Sequence, residues 1–165
     1  MHHLHLPQCP STQIFLREHL ADLAAKDIHL LVSTDQQTGG IGRMGNSWQH
    51  YSDALAFSFT LKPLNNQAMT PIVIGLQLVS YFQSVYDLSL LVKWPNDLLT
   101  NEYKKAIGIL CHQARGLFLV GIGINWGNSG RILEDSSFKF PAGVLFPQKT
   151  LRPNDKKTLP LENKF

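Results

Sequence analysis

The chain has 165 residues, 44% hydrophobic and 16% charged, with a net charge of +3 and no block of five like charges. That make-up suits one globular domain with a real core, and it excludes a disordered segment and argues against an extended nucleic-acid surface. Two cysteines, Cys9 and Cys111, cannot build a disulfide framework, and with no signal-peptide h-region and no apolar run of about 18 residues the expectation is a cytoplasmic protein without a membrane span.

His2, His3 and His5 open the chain and read as a frayed or tag-derived terminus in preference to a metal site. Ser11 and Thr12 then offer a cap for a helix over 13–25, with Leu16, Leu20, Leu23 and Ala24 on its apolar face. Residues 28–33 read as a strand. Residues 35–47 hold four glycines and no apolar period, so they read as a loop. Alternation over 54–61 predicts a strand. Thr70 and Pro71 predict the cap and first residue of a helix over 70–86, buried through Ile74, Leu78, Tyr81, Phe82 and Val85. Strands follow over 89–94, 106–113 and 117–124, with a turn at Asn101-Glu102 and a hairpin at Ala114-Arg115-Gly116. The order predicts an α+β domain: a mixed or antiparallel sheet with helices packed on one face. The ordered pattern ends near residue 127, leaving 128–165 as an irregular extension.

Several stretches carry chemistry. In Gly39-Gly40-Ile41-Gly42-Arg43-Met44-Gly45-Asn46-Ser47-Trp48, glycines let backbone N–H groups approach an anion. Arg43 offers a donor fork for phosphate oxygens, and Trp48 a stacking face for a purine. The loop is neither a Walker loop nor a dinucleotide fingerprint. A surface loop with a solvated arginine is the plain alternative. Lys93-Trp94-Pro95-Asn96-Asp97 turns at a strand end and presents an amide beside a carboxylate able to order Mg²⁺ or a basic group; an Asx turn explains an isolated Asn-Asp pair equally well. Lys105 precedes Gly108-Ile109-Leu110 and is either a charge beside a backbone-lined pocket or an edge-strand lysine. Gly121-Ile122-Gly123-Ile124-Asn125 permits close approach to the sheet.

Taken together over residues 9–127, these blocks resemble the catalytic domain of biotin protein ligases. Lys93-Trp94-Pro95-Asn96-Asp97 matches that family's Lys-Trp-Pro-Asn-Asp motif in full. Gly40, Gly42, Arg43, Gly45 and Trp48 fall on its Gly-Arg-Gly-Arg-Arg-Gly-x-x-Trp loop, with Gln37 three residues before Gly40. Lys105 fits Lys-x-x-Gly-Ile-Leu, Gly121 to Asn125 fits Gly-x-Gly-x-Asn, and Ser11-Thr12-Gln13 is similar to Ser-Thr-Asn. The departures are Ile41 and Met44 for arginines, Asn46 for a basic residue, and Cys111-His112 where an apolar residue and an acid are common.

The resemblance implies a ligase that joins biotin to ATP as biotinyl-5′-AMP, with Mg²⁺ on the phosphates, and passes biotin to a lysine of a biotin carboxyl carrier domain. It implies charge stabilisation by Lys105 and Arg43. Biotin contacts fall to Ser11, Thr12, Gln37, Gly40, Gly42, Gly108 and Ile109. Nucleotide contacts fall to Arg43, Trp48, Asn96, Asp97, Gly123 and Asn125. No metal ligand is assigned. A homodimer through sheet edges is open. The family's DNA-binding domain has no room here, and its C-terminal barrel is expected to be missing or truncated. Two other readings stay open: a non-catalytic biotin-binding protein of the same fold, and a lipoate or octanoate transferase, against which the absence of an Arg-Arg-Gly-Gly loop weighs.

Overall fold

The computed structural model describes residues 1–25, 27–48, 53–127 and 141–147. Among the described residues the α-helices and strands follow in chain order: β1 (His2–Cys9), α1 (Thr12–Glu18), α2 (Leu20–Ala24), β2 (Leu30–Gln37), β3 (Ala54–Leu61), α3 (Thr70–Tyr86), β4 (Leu91–Lys93), β5 (Asp97–Leu99), β6 (Lys105–Ala114) and β7 (Leu117–Asn125). They form a seven-stranded sheet in the order β1-β2-β3-β7-β6-β5-β4. β1 lies parallel to β2, with His5 opposite Ser33; every other pair is antiparallel, including Phe57 opposite Ile122 and Gly108 opposite Gly123.

The mixed sheet of an α+β domain is as expected, but the helices divide between its two faces. On β2, Leu30 and Val32 join Leu119 of β7 under Leu16 and Leu20, while Leu31 points the other way. On that second face Leu31, Phe57, Val120, Ile122, Ile107 and Ile109 pack under Leu78 and Phe82 of α3. A strand apolar at successive positions must be covered twice.

Local chemistry explains the remaining differences. The helix expected over 13–25 breaks at His19 (φ −99°, ψ 7°), whose Nδ1 donates to Phe15 O at 2.9 Å while its ring stacks on Phe15. α3 begins at Thr70 as expected, yet Thr70 lies inside it and Met69 holds the cap position without a side-chain bond. Val85 is half exposed and leaves the buried face to Gly75, Leu78 and Phe82. Gln67–Tyr86 is long and apolar enough by length and composition to cross a membrane; here it packs on the sheet. The histidines at the start lie in β1, where His3 Nε2 and His5 Nδ1 both meet Ser33 Oγ, at 2.8 and 2.9 Å.

Of the extension, residues 141–147 are described, and they run beside the end of the sheet. Lys105 N–H donates to Pro141 O and Gly143 N–H to Lys105 O, both at 2.8 Å, and Leu145 N–H donates to Asn125 O at 2.9 Å. Leu145 enters the core, and Phe146 packs with Trp126 and Tyr86. Both backbone groups of Lys105 are thereby held by chain from beyond residue 140.

Candidate functional site

The Trp-Pro-Asn stretch is the turn of a hairpin: Lys93 of β4 pairs with Asp97 of β5, and the Trp94–Pro95 peptide is cis. Asn96, in that turn, is locked to β6 by two bonds. Its Nδ2 donates to Ile109 O at 3.0 Å, and its carbonyl accepts from Ile109 N–H at 2.9 Å. Its Oδ1 faces Arg43 Nη1 at 3.5 Å, so the hairpin and the glycine loop meet at this amide.

Asp97 sits between two lysines. Lys93 Nζ donates to Oδ2 at 2.8 Å, and Lys105 Nζ lies 2.7 Å from Oδ1. The second contact is an ion pair without hydrogen-bond angles. Asp97 is buried, and each oxygen already faces a cation. The Lys105 ammonium also lies 4.9 Å from the centre of the Trp48 ring, within cation–π range.

Trp48 itself rests on the sheet. A Cβ on Gly108 would stand 2.5 Å from its ring, and one on Gly123 would stand 2.7 Å away. These two glycines oppose each other across β6 and β7. The close approach their sequence implies is thus made by an indole from the loop. Within the loop, Gly42 N–H bonds to Asn46 O, Trp48 N–H donates to Gly40 O, and Met44 adopts φ 57° while standing almost wholly in solvent.

A pocket opens on the α1 face of the sheet. It brings together Ser11, Thr12, Gln37, Gly42, Arg43, Trp48, Asn96, Lys105, Gly108, Ile109 and Gly123, all of which the sequence singles out. Ile109 offers it backbone, because its side chain is buried on the opposite face near Gly75. Gly40 is not in the lining, but a Cβ there would stand 3.2 Å from Gln37 Nε2 and from Trp48, both of which are. Asp97 and Asn125 lie outside the lining; Asn125 is fully buried, its carbonyl taken by Leu145. Thr12 ties the helix start to β2: its N–H donates to Gln37 Oε1 at 2.9 Å and its hydroxyl to the same oxygen at 3.3 Å.

The lining also includes Gln13, Ile41, Ser58, Leu110, Gly121 and Ile122, to which the sequence alone assigns neither a biotin nor a nucleotide contact. Ser58 was legible as a polar residue inside the apolar alternation of β3. The thiols supply no nucleophile here: burial pushes Cys111 up to about 12, and burial raises Cys9 more than Thr34 lowers it. Among the described residues, no three His, Cys, Asp or Glu side chains group to hold a metal ion. The site can therefore gather an anion at Arg43 and Lys105, stack a flat group against Trp48, and bind a polar head among Ser11, Thr12, Gln13, Gln37 and Ser58.

Residues 6–129 match the model of the biotin/lipoate A/B protein ligase family. The chain is 34% identical over 105 residues to the bifunctional ligase/repressor BirA of Bacillus subtilis, across 58% of this chain and 32% of that protein. It is 29% identical over 134 residues to the chloroplastic biotin–protein ligase 1 of Arabidopsis thaliana, across 74% and 35%. Its fold is similar to that of biotin protein ligase from Aquifex aeolicus in complex with biotin and ATP, with TM-score 0.71 and 30% identity over 87% of this chain and 59% of that one. The chain spans about a third of the length of the curated relatives it matches.

Proposed function

From the premise that the chain belongs to the biotin/lipoate A/B protein ligase family, we propose that it activates biotin with ATP and transfers it to a lysine of a carrier protein. A biotin carboxylate oxygen attacks the ATP α-phosphorus, the bond to the β-phosphate oxygen breaks, and pyrophosphate leaves. The ε-amine of the acceptor lysine then attacks the acyl carbon of biotinyl-5′-AMP, expelling AMP and losing a proton to solvent. The observation that carries this reading is the meeting of Arg43 and Trp48 from the glycine loop, Asn96 from the hairpin turn and Lys105 from β6, three separate stretches, around one pocket.

In this reading Lys105 and Arg43 balance the charge that gathers on the α-phosphoryl oxygens. Trp48 and Asn96 hold the nucleotide. Loop 40–45 covers the mixed anhydride and keeps water from it. Asp97 acts through Lys105, holding the ammonium in place. Its carboxylate faces two lysines, so it does not fit as a Mg²⁺ ligand in this arrangement. Mg²⁺ would travel with the nucleotide phosphates, keeping water ligands. The acceptor is a biotin carboxyl carrier domain and the compartment the cytoplasm; a homodimer through sheet edges belongs to the same reading.

A second reading is a protein that binds biotin without consuming ATP. Ile41 supports it, because an apolar side chain lines the pocket where the family's loop carries an arginine. One experiment separates the two. ATP labelled at the α-phosphate is incubated with the protein, Mg²⁺ and biotin, and the products are chromatographed. A biotin-dependent labelled adenylate is the expected result. Biotin binding without adenylate would replace the ligase by the binding protein.

A further inference from the structure

β1 carries His3 and His5 two residues apart, so both side chains leave one face of the strand. That face is the α3 face. Leu4 and Leu6 pack beneath α1, while the parallel pairing sets His3 beside Leu31 and His5 beside Ser33. The two histidines therefore lie across the sheet from the ligand pocket, and both rings converge on one atom. His3 Nε2 lies 2.8 Å and His5 Nδ1 2.9 Å from Ser33 Oγ, with the rings edge to face at a centroid distance of 6.4 Å. Ser33 is buried at the centre of this group.

Asp35 fixes where the hydrogens sit. Its Oδ2 lies 3.3 Å from His5 Nε2, and a carboxylate only accepts, so Nε2 carries the ring hydrogen. In the neutral ring Nδ1 is then bare, and it takes the hydroxyl hydrogen of Ser33. Ser33 has no second hydrogen, so His3 Nε2 donates to it. His5 thus aims a lone pair at the centre with a carboxylate behind its other nitrogen. Metal-bound imidazoles almost always have such an outer partner. Asp35 stands behind His5 and not at the centre, so two ligating side chains meet there, which agrees with the lack of any three among the described residues.

We propose that His3 Nε2 and His5 Nδ1 bind a divalent transition ion of the Zn²⁺ class, with Asp35 as the outer carboxylate that orients His5. Imidazole nitrogen is a preferred donor for Zn²⁺, Ni²⁺ and Cu²⁺. Bonds of about 2.0–2.1 Å need both rings to close in on the point they already share. His3 then binds as its other neutral tautomer, with its hydrogen on Nδ1. The Ser33 hydroxyl turns its hydrogen away from the ion, and water fills the remaining positions. Both ligands come from the strand at one edge of the sheet, so the ion favours the folded chain by mass action.

The test titrates the full chain with Zn²⁺ by calorimetry and with Co²⁺ by visible absorption. Zn²⁺ should bind with one-to-one stoichiometry and raise the melting temperature, and it should displace the Co²⁺ spectrum. His3→Gln and His5→Gln should each weaken Zn²⁺ binding by about tenfold or more, and Asp35→Asn by about tenfold, the size of an outer-partner loss. His2→Gln should leave the affinity unchanged, because His2 pairs beside Leu30 and its side chain leaves the other face. Asp35→Asn keeps both ligands and carries the test if either histidine variant melts lower without metal. No stoichiometric binding, a loss in His2→Gln equal to that in His3→Gln, or an affinity unmoved in both His3→Gln and His5→Gln would overturn the proposal.

Discussion

Lys105 reaches the pocket with its ammonium 2.7 Å from Asp97 Oδ1, on a carboxylate whose other oxygen is bonded to Lys93. The arrangement leaves two lysines sharing one carboxylate, so an added anion at Lys105 meets a charge that Asp97 only half offsets. Lys105→Ala should lower adenylate formation by about two orders of magnitude or more, since groups that stabilise developing phosphoryl charge have effects of that size. An activity within about twofold of the unaltered protein would take Lys105 out of the mechanism. Asp97→Asn frees the ammonium from its partner and should cost less than Lys105→Ala in the same assay.

Trp48 depends on bare backbone at Gly108 and Gly123. Gly108→Ala places a methyl 2.5 Å from the present ring position, so the indole must leave the sheet. That separates it from Lys105, now 4.9 Å from its ring centre. The expected outcome is a red-shifted Trp48 emission, read as the difference between Gly108→Ala proteins with and without Trp48→Phe. Nucleotide affinity should fall by about tenfold, the loss of one stacking contact. Unchanged emission would mean that the ring finds room without moving off the sheet.

The sequence was most legible where periodicity was strong and both edges were marked. β3 and α3 run over the expected residues because alternation and the Thr70-Pro71 start are unambiguous. β1 escaped because its alternation, His3-Leu4-His5-Leu6, spans only four residues before Pro7 and sits among histidines that read as a terminus, although Leu4 and Leu6 do pack on the core beneath α1. β5 is three residues long, too short for a period, and is set by its pairing to β6. The pocket residues came from motifs, whereas Gln13 and Ser58 depend on which face of the sheet α1 covers. Leu30-Leu31-Val32 carried that signal, since consecutive apolar residues on a strand require cover on both faces.

Residues 141–147 hold Lys105 through its own backbone, so a change there should reach the site without touching it. A Cβ on Gly143 would stand 2.5 Å from Lys104 Cβ and 3.2 Å from the Lys104 carbonyl carbon and oxygen. Backbone cannot swing aside, so Gly143→Ala should push this segment off β6 and cost about 1–3 kcal/mol, as overpacking does. Urea denaturation checks the stability. The fall in adenylate formation should appear in kcat more than in KM for biotin, because the displaced group is Lys105 and not the polar lining at Ser11, Thr12 and Gln37. A stable variant with unaltered kcat would show that the lysine is held by β6 alone.

Gln13 Nε2 lies 3.3 Å from His112 Nδ1, and this contact has a proton condition. Gln13 Nε2 can only donate, so His112 Nδ1 must accept, and the ring must be neutral with its hydrogen on Nε2. Burial first, and then the Arg17 cation from α1, hold the His112 pKa below its ordinary value. The unfolded chain takes up this proton near pH 6.5, while the folded chain resists until a lower pH. Across that interval the unfolded state binds more protons, so stability falls as the pH drops through it, and above it this term is fully favourable. A glutamine at 112 offers Gln13 an acceptor that does not titrate. Melting temperatures of the unaltered protein and His112→Gln, followed from about pH 8 to pH 5, should therefore diverge below neutrality, with the unaltered protein losing more. Parallel curves would mean that His112 does not carry this linkage.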